Sequence, residues 1–237
     1  MKVEIWSDVM CPFCYLGKYR YEKALEEFPD RAYIQTEWKS FQLDPTLPKK
    51  GSGITTYEYL SERKGMHLSQ VKQMTEGLSA QAAAEGITLN FGQAVIANSF
   101  DAHRLVHLAQ EKGLGNEVEE KLFMAHFVDG KDVSDASVLT EIGVSLGLKA
   151  EEVQDMLEKG LYEQEVKEDI QLAARFGIRG VPFFVFNRKY AVSGAQPKEV
   201  FAQTLEKAYA EWRQENPLPA FTTVAEGPVC DPETACE

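Results

Sequence analysis

Strand-like sequence lies only at the two ends of this chain, and almost everything between them reads as helix. Met1-Lys2-Val3-Glu4-Ile5-Trp6 opens as a strand, Tyr15 to Phe28 follows with apolar residues at helical spacing, and a branched and aromatic run covers Ala32 to Phe41. At the far end, Val181 to Phe186 and Tyr190 to Ser193 flank a turn at Asn187-Arg188-Lys189, and a helix runs from Pro197 to about Trp212. The two ends complete one sheet only if they meet. The pattern therefore predicts an α/β domain made of residues 1–44 and 178–213, split in sequence by a helical insertion over 45–177. Residues 214–237, opened by Asn216-Pro217-Leu218-Pro219, are set apart as a tail.

Within the insertion, Leu43-Asp44-Pro45 to Gly51-Ser52-Gly53 breaks the strand pattern, and helices are expected over Thr55–Lys64, Leu68–Glu85, Ser99–Lys112, Val118–Val128, Ala136–Leu146 and Glu151–Phe176. With 237 residues and 44% apolar composition, the chain can bury a large core without disulfide staples. A net charge of −12 with no basic stripe excludes a nucleic-acid partner, because a phosphate backbone would be repelled. No run of about 18 apolar residues is present to span a bilayer, so no membrane partner is expected. Strand sequence begins at once, without an apolar leader, and the expected location is the cytoplasm.

Cys11-Pro12-Phe13-Cys14 carries the chemistry. Pro12 suits the first position of a helix, which places Cys11 at the N-cap and Cys14 one turn inside. Sulfurs at this spacing face the same side and can close a ring across the turn. Unpaired N–H groups and the positive end of the helix dipole favour a thiolate at Cys11, which makes it the nucleophile. Cys14, deeper and protonated at rest, is the resolving thiol that attacks a mixed disulfide. The bland alternatives are half a zinc site or two inert core thiols. A zinc ribbon needs a second ligand pair at similar spacing, and the remaining cysteines, Cys230 and Cys236, are distant and differently spaced, so no metal is expected at the first pair.

Three segments taken in order, Ser7 to Lys18 around the dithiol, Asn98-Ser99-Phe100-Asp101-Ala102-His103-Arg104, and Gly180-Val181-Pro182-Phe183-Phe184, resemble the FrnE-like branch of the DsbA family of thioredoxin-fold oxidoreductases. The resemblance covers the chain up to about Pro217. It implies a thioredoxin fold with a large all-helical insertion, a redox disulfide between Cys11 and Cys14, and a cis peptide bond between Val181 and Pro182. It also implies a substrate site at Pro12, Phe13, Val181 and Pro182, where backbone groups beside the nucleophile can pair with an extended peptide or glutathione. Phe13 stands where the namesake oxidase has a histidine, so a less oxidising disulfide is expected, and Asp8 is expected to oppose the thiolate by like-charge repulsion.

Other residues carry alternatives. Cys230 and Cys236 form an auxiliary pair that could relay electrons to the first, close a stabilising disulfide, or bind metal. His103 and His107, at i and i+4, read as surface or half-buried packing residues ahead of metal ligands. Arg104 is available to a substrate carboxylate if its segment lines the groove, whereas Asn98 or Ser99 as a helix cap is the plainer reading. The acidic runs Glu22-Glu26-Glu27 and Glu163-Glu165-Glu168-Asp169 read as solvated helix faces.

The expected function is thiol:disulfide exchange with protein thiols, protein disulfides or glutathione, extending to disulfide isomerisation, with no resident cofactor and glutathione at most a co-substrate. The alternative is a glutathione-dependent isomerase or transferase of the kappa-class type. That class activates another molecule's thiol and has no need of its own resolving sulfur. A holdase or metal-buffering protein is the non-enzymatic reading.

Overall fold

The computed structural model describes residues 1–218. Its four-stranded sheet is assembled from the two chain ends: β1 (Lys2–Ser7), β2 (Gln35–Ser40), β3 (Phe183–Phe186) and β4 (Tyr190–Ser193) lie in the order β2-β1-β3-β4. β1 pairs with β2 in parallel and with β3 antiparallel, Ile5 lying between Trp38 and Phe184. β3 and β4 form the antiparallel hairpin. Thus the outermost pieces of the sequence occupy adjacent positions in one sheet, with β1 held on both edges.

Two helices belong to that sheet, α1 (Pro12–Glu26) and α9 (Lys198–Glu215). Alternation along the strands decides what they cover. Phe184 and Phe186 pack against Tyr21 of α1, and Phe184 stacks edge-on to Phe201 of α9 at 4.7 Å. Trp6 points the other way, where its indole N–H donates to the Asp169 carbonyl and its ring meets Phe176. α9 continues to Glu215, past the Trp212 end expected from sequence.

Between β2 and β3 lie α2 (Thr56–Lys64), α3 (Leu68–Ala84), α4 (Phe100–Glu111), α5 (Gly115–Phe127), α6 (Ala136–Ser145), α7 (Ala150–Glu158) and α8 (Glu163–Arg175). Local chemistry starts several of them. Thr55 caps α2 in a reciprocal box with Glu58, and the Asp135 carboxylate accepts from the Ser137 N–H at the head of α6. The insertion does not have a core of its own: Val3, Ile5 and Phe184 of the sheet share one apolar cluster with Leu105, Leu122 and Leu139 of α4, α5 and α6.

Three expectations need correction. Glu151–Phe176 is two helices, because Gly160 at φ +68° and Tyr162 at φ +64° turn the chain between α7 and α8. The apolar spacing continues through this break, which hides it from a periodicity argument. Arg31–Tyr33 is a turn of 3-10 helix, so β2 starts only at Gln35. The strand expected from Val181 begins at Phe183, leaving Val181 and Pro182 in the connection that precedes it.

Candidate functional site

The dithiol sits where β1 ends and α1 begins. The chain leaves Ser7, the Cys11 N–H donates to the Asp8 carbonyl at 2.9 Å, and Pro12 occupies the first helical turn with Cys11 as N-cap. Cys11 has extended dihedrals and its side chain makes no cap hydrogen bond, so the thiol is left for other partners. The Cys14 N–H donates to the Cys11 carbonyl at 2.9 Å and fixes the turn that joins the two sulfurs. Both cysteines are free thiols.

The opposite wall comes from the other end of the chain. The Val181–Pro182 peptide bond is cis, and the Cys11 thiol donates to the Val181 carbonyl oxygen at 3.5 Å. Pro182 is locked from behind, since its carbonyl accepts from the Gly194 N–H at 2.8 Å and its ring lies against Gly17 of α1. A β-carbon at Gly17 would stand 2.9 Å from Pro182 Cγ, so the absence of a side chain there lets α1 approach this connection. The Val181 N–H has no hydrogen-bond partner among the described residues.

The two sulfurs differ in surroundings. Cys14 is 1% exposed, and burial together with the adjacent Cys11 thiol pushes its pKa well above the ordinary thiol range, against an opposing pull from the Asp8 backbone and the Ser7 hydroxyl. The Asp8 carboxylate is committed to the Met10 N–H at 3.1 Å and the Leu43 N–H at 2.7 Å, and it lies 3.8 Å from His103. Cys11 is 5% exposed, less open than expected for an attacking sulfur. Its opening is a cleft of about 640 Å³ that it lines with Pro12, Phe13 and Val181 on one side and residues of the insertion on the other.

Behind the dithiol, α1 is clamped to α5. Tyr15 stacks on Phe123 with centroids 5.0 Å apart, and its hydroxyl donates to Glu120 at 2.9 Å. Lys18 is buried between Glu22 and Glu120, each 2.7 Å from its ammonium; burial opposes its charge, but the two carboxylates more than offset this and raise its pKa. Beside them lies Glu119, buried, with Oε2 making no hydrogen bond; burial pushes this carboxyl up to about 8. His126, in the last turn of α5 where that helix lines the cleft, is 1% exposed, and burial lowers it to about 4. Neither Glu119 nor His126 stands out in the sequence, because no spacing rule marks a polar residue that tertiary packing encloses.

The remaining sequence candidates fall elsewhere. Arg104 is not free for a ligand: it is buried, pairs with Asp101 at 2.7 Å, and donates to the carbonyls of Leu161 and Met156, which closes the break between α7 and α8. Asn98 supports the start of α4, its side-chain oxygen accepting from the Phe100 N–H at 3.0 Å. His103 is wholly buried, not at the surface, with Nε2 2.8 Å from the Phe41 carbonyl, and burial lowers its pKa against the attraction of Asp8. His107 faces a different group, Asp169 at 3.1 Å, so the two histidines do not converge. Asp169 also accepts from the Ser40 N–H and pairs with Lys39, which corrects its reading as part of a solvated face. Cys230 and Cys236 lie outside the described residues.

A dithiol at a helix N-cap, facing a cis-proline connection across a β2-β1-β3-β4 sheet, defines a thioredoxin-fold dithiol protein. The chain belongs to the DSBA-like thioredoxin domain family, whose model matches residues 2–206. It is similar to a probable DsbA oxidoreductase from Streptomyces coelicolor, whose crystal structure shares 39% identity at a TM-score of 0.84, over 100% of this chain and 98% of that one. An uncharacterized protein, YwbO of Bacillus subtilis, is 24% identical over 205 residues, 86% of this chain and 94% of its own length. The fold is also that of the cytosolic disulfide reductase DsbM from Pseudomonas aeruginosa, at 18% identity and a TM-score of 0.60, covering 92% of this chain and 100% of DsbM. No helix among the described residues is long and apolar enough to cross a membrane.

Proposed function

We propose that the protein is a thiol:disulfide oxidoreductase in which Cys11 attacks and Cys14 resolves. The carrying observation is the asymmetry of the pair: Cys11 opens to the cleft from a helix N-cap, while Cys14 lies behind it with its thiol held protonated by burial and by its neighbour. The Cys11 thiolate attacks one sulfur of a substrate disulfide. A mixed disulfide forms, and the other substrate sulfur leaves as a thiolate. Cys14, on losing its proton, then attacks the Cys11 sulfur and releases the second substrate thiol, so two electrons pass from the dithiol to the substrate. The reverse sequence oxidises a substrate dithiol, and interrupted release gives isomerisation.

Pro12, Phe13 and Val181 line the cleft with the attacking sulfur, Pro182 holds Val181 in place through the cis bond, and the Val181 N–H, without a partner among the described residues, offers an extended chain one main-chain hydrogen bond. Protein thiols and disulfides are the substrates, with glutathione as co-substrate; DsbM, which shares the fold, has a solved structure with glutathione. No resident cofactor is needed. The FrnE-like branch rests on the three sequence segments, and the assigned compartment is the cytoplasm, where four cysteines are better used for catalysis than for bracing. A glutathione-activating isomerase would leave the contact between Cys14 and Cys11 without a purpose.

The test is mixed-disulfide trapping. Cys14→Ser is expected to accumulate covalent Cys11–substrate adducts, and Cys11→Ser to form none and to lose insulin reduction. Retained reduction in Cys11→Ser, or a Cys11 that resists alkylation at neutral pH in the reduced folded protein, overturns the assignment.

A further inference from the structure

Resolution requires Cys14 to become a thiolate where the fold resists one. Its sulfur is buried, and burial and the Cys11 thiol hold its proton on. A buried sulfur can carry the charge of attack only if donors already in place receive it. The groups that ease ionisation of Cys14 are neutral ones, the Asp8 backbone and the Ser7 hydroxyl.

Both belong to the end of β1. Ser7 is the last residue of that strand, and its main chain is fixed from the β2 side: it pairs with Ser40, and its carbonyl accepts from the Phe41 N–H at 3.0 Å. The Cys11 N–H closes on the Asp8 carbonyl at 2.9 Å, which brings the first turn of α1 back to the strand end. The Ser7 side chain is wholly buried, and its Oγ has no hydrogen-bond partner among the described residues. The Asp8 N–H likewise donates to no carbonyl among them.

A buried hydroxyl without an acceptor costs stability, and alanine would occupy the same place without that cost. The orphaned donor is explained if its acceptor exists only during turnover, as a Cys14 thiolate does. A hydroxyl turns to meet such an acceptor by rotation about one bond, with no movement of the backbone.

Resting on the oxidoreductase reading above, we propose that the Ser7 hydroxyl and the Asp8 N–H form a thiolate hole for Cys14, which makes Ser7 a catalytic residue of the resolving step. In that step Cys14 gives up its proton, and its sulfur, held by the two donors, attacks the Cys11 sulfur of the mixed disulfide. The Cys11–Cys14 bond forms, the Cys11–substrate bond breaks, and the departing substrate thiolate takes up a proton in place of the one Cys14 lost. The first step does not use the hole, because the Cys11 thiol lies against the Val181 carbonyl, 3.5 Å away.

A stopped-flow single turnover with 4,4′-dithiodipyridine separates the steps. This neutral disulfide releases one thiopyridone when Cys11 attacks and a second when Cys14 resolves. All proteins carry Cys230→Ser and Cys236→Ser, so that only the two site thiols react. A hydrogen bond to a charged acceptor gives about a ten- to hundredfold preference for the thiolate. An attacking thiol that is mostly protonated keeps about half of that, on a logarithmic scale, as rate. Ser7→Ala is therefore expected to slow the second release about three- to tenfold at pH 7 and to leave the first within about twofold. The reduced variant is expected to unfold at the same urea concentration as its parent or a higher one, since no acceptor loses its donor. An unchanged second release overturns the thiolate hole and leaves the oxidoreductase assignment standing. Both releases slowed alike, or a lowered urea midpoint, makes the hydroxyl structural and overturns it as well. A parent protein that releases one thiopyridone and stops takes down both readings.

Discussion

Replacing Glu119 by glutamine removes a titration that the fold forces on the protein. Glu119 is enclosed in α5, its Oε2 has no hydrogen bond, and after burial itself the charge of Lys18 pulls its pKa down while Asp8, Glu22 and Glu120 push it up. Burial is the main cause of the rise from 4.5 to about 8. Between those values the folded carboxyl keeps a proton that the unfolded chain has lost. Stability from this group is thus fully present below about pH 4.5 and declines as the pH rises to 8. At about 1.4 kcal/mol per pH unit, the whole interval is worth about 5 kcal/mol.

Glutamine keeps the shape of the neutral acid and does not ionise. Wild type and Glu119→Gln are expected to differ by less than about 1 kcal/mol at pH 5, and the variant to be more stable by about 4 kcal/mol at pH 8. Urea denaturation of both reduced proteins at pH 5, 6, 7 and 8, followed by tryptophan fluorescence, reads the difference directly. Titrating groups common to the two chains cancel. Stability curves that run parallel from pH 5 to 8 would show that Glu119 is charged in the folded protein and refute the reasoning.

Two further outcomes follow from side chains around the dithiol. His126, lowered to about 4 by burial, stays neutral while the unfolded chain takes up a proton below 6.5, so wild type loses up to about 3 kcal/mol as the pH falls from 6.5 to 4. His126→Gln lacks this loss; its stability relative to wild type should improve by that amount between pH 7 and pH 4, and a constant difference in urea midpoints would contradict it. Gly17→Ala puts a methyl group 2.9 Å from the rigid Pro182 ring and 3.3 Å from Phe184. We expect a destabilisation of about 1–3 kcal/mol together with altered iodoacetamide labelling of Cys11, because α1 must back away from Val181. Unchanged stability and labelling would show that this contact does not set the spacing.

Sequence alone determined the order of most elements and where the dithiol sits among them. Pro12 and the apolar spacing of α1 mark a helix start, and the proposed redox role of the two cysteines rests on their place at that start. The apolar runs of β1 and β3, at opposite ends of the chain, point to a common sheet. Such features depend on short-range geometry, so they can be read from spacing. The split into α7 and α8 could not, since apolar periodicity runs through Gly160 and the stop is sealed by Arg104, more than fifty residues away.

Only the tertiary structure decided what the dithiol faces. The covering of Cys11 by the insertion, the cleft without lysine or arginine among the described residues, the neutral ring of His126 and the unpartnered carboxyl oxygen of Glu119 all arise where helices distant in sequence close over polar atoms. Desolvation is a property of the whole enclosure. A carboxyl or an imidazole has the same letter in a chain whether water reaches it or not, and that difference moves Glu119 and His126 in opposite directions.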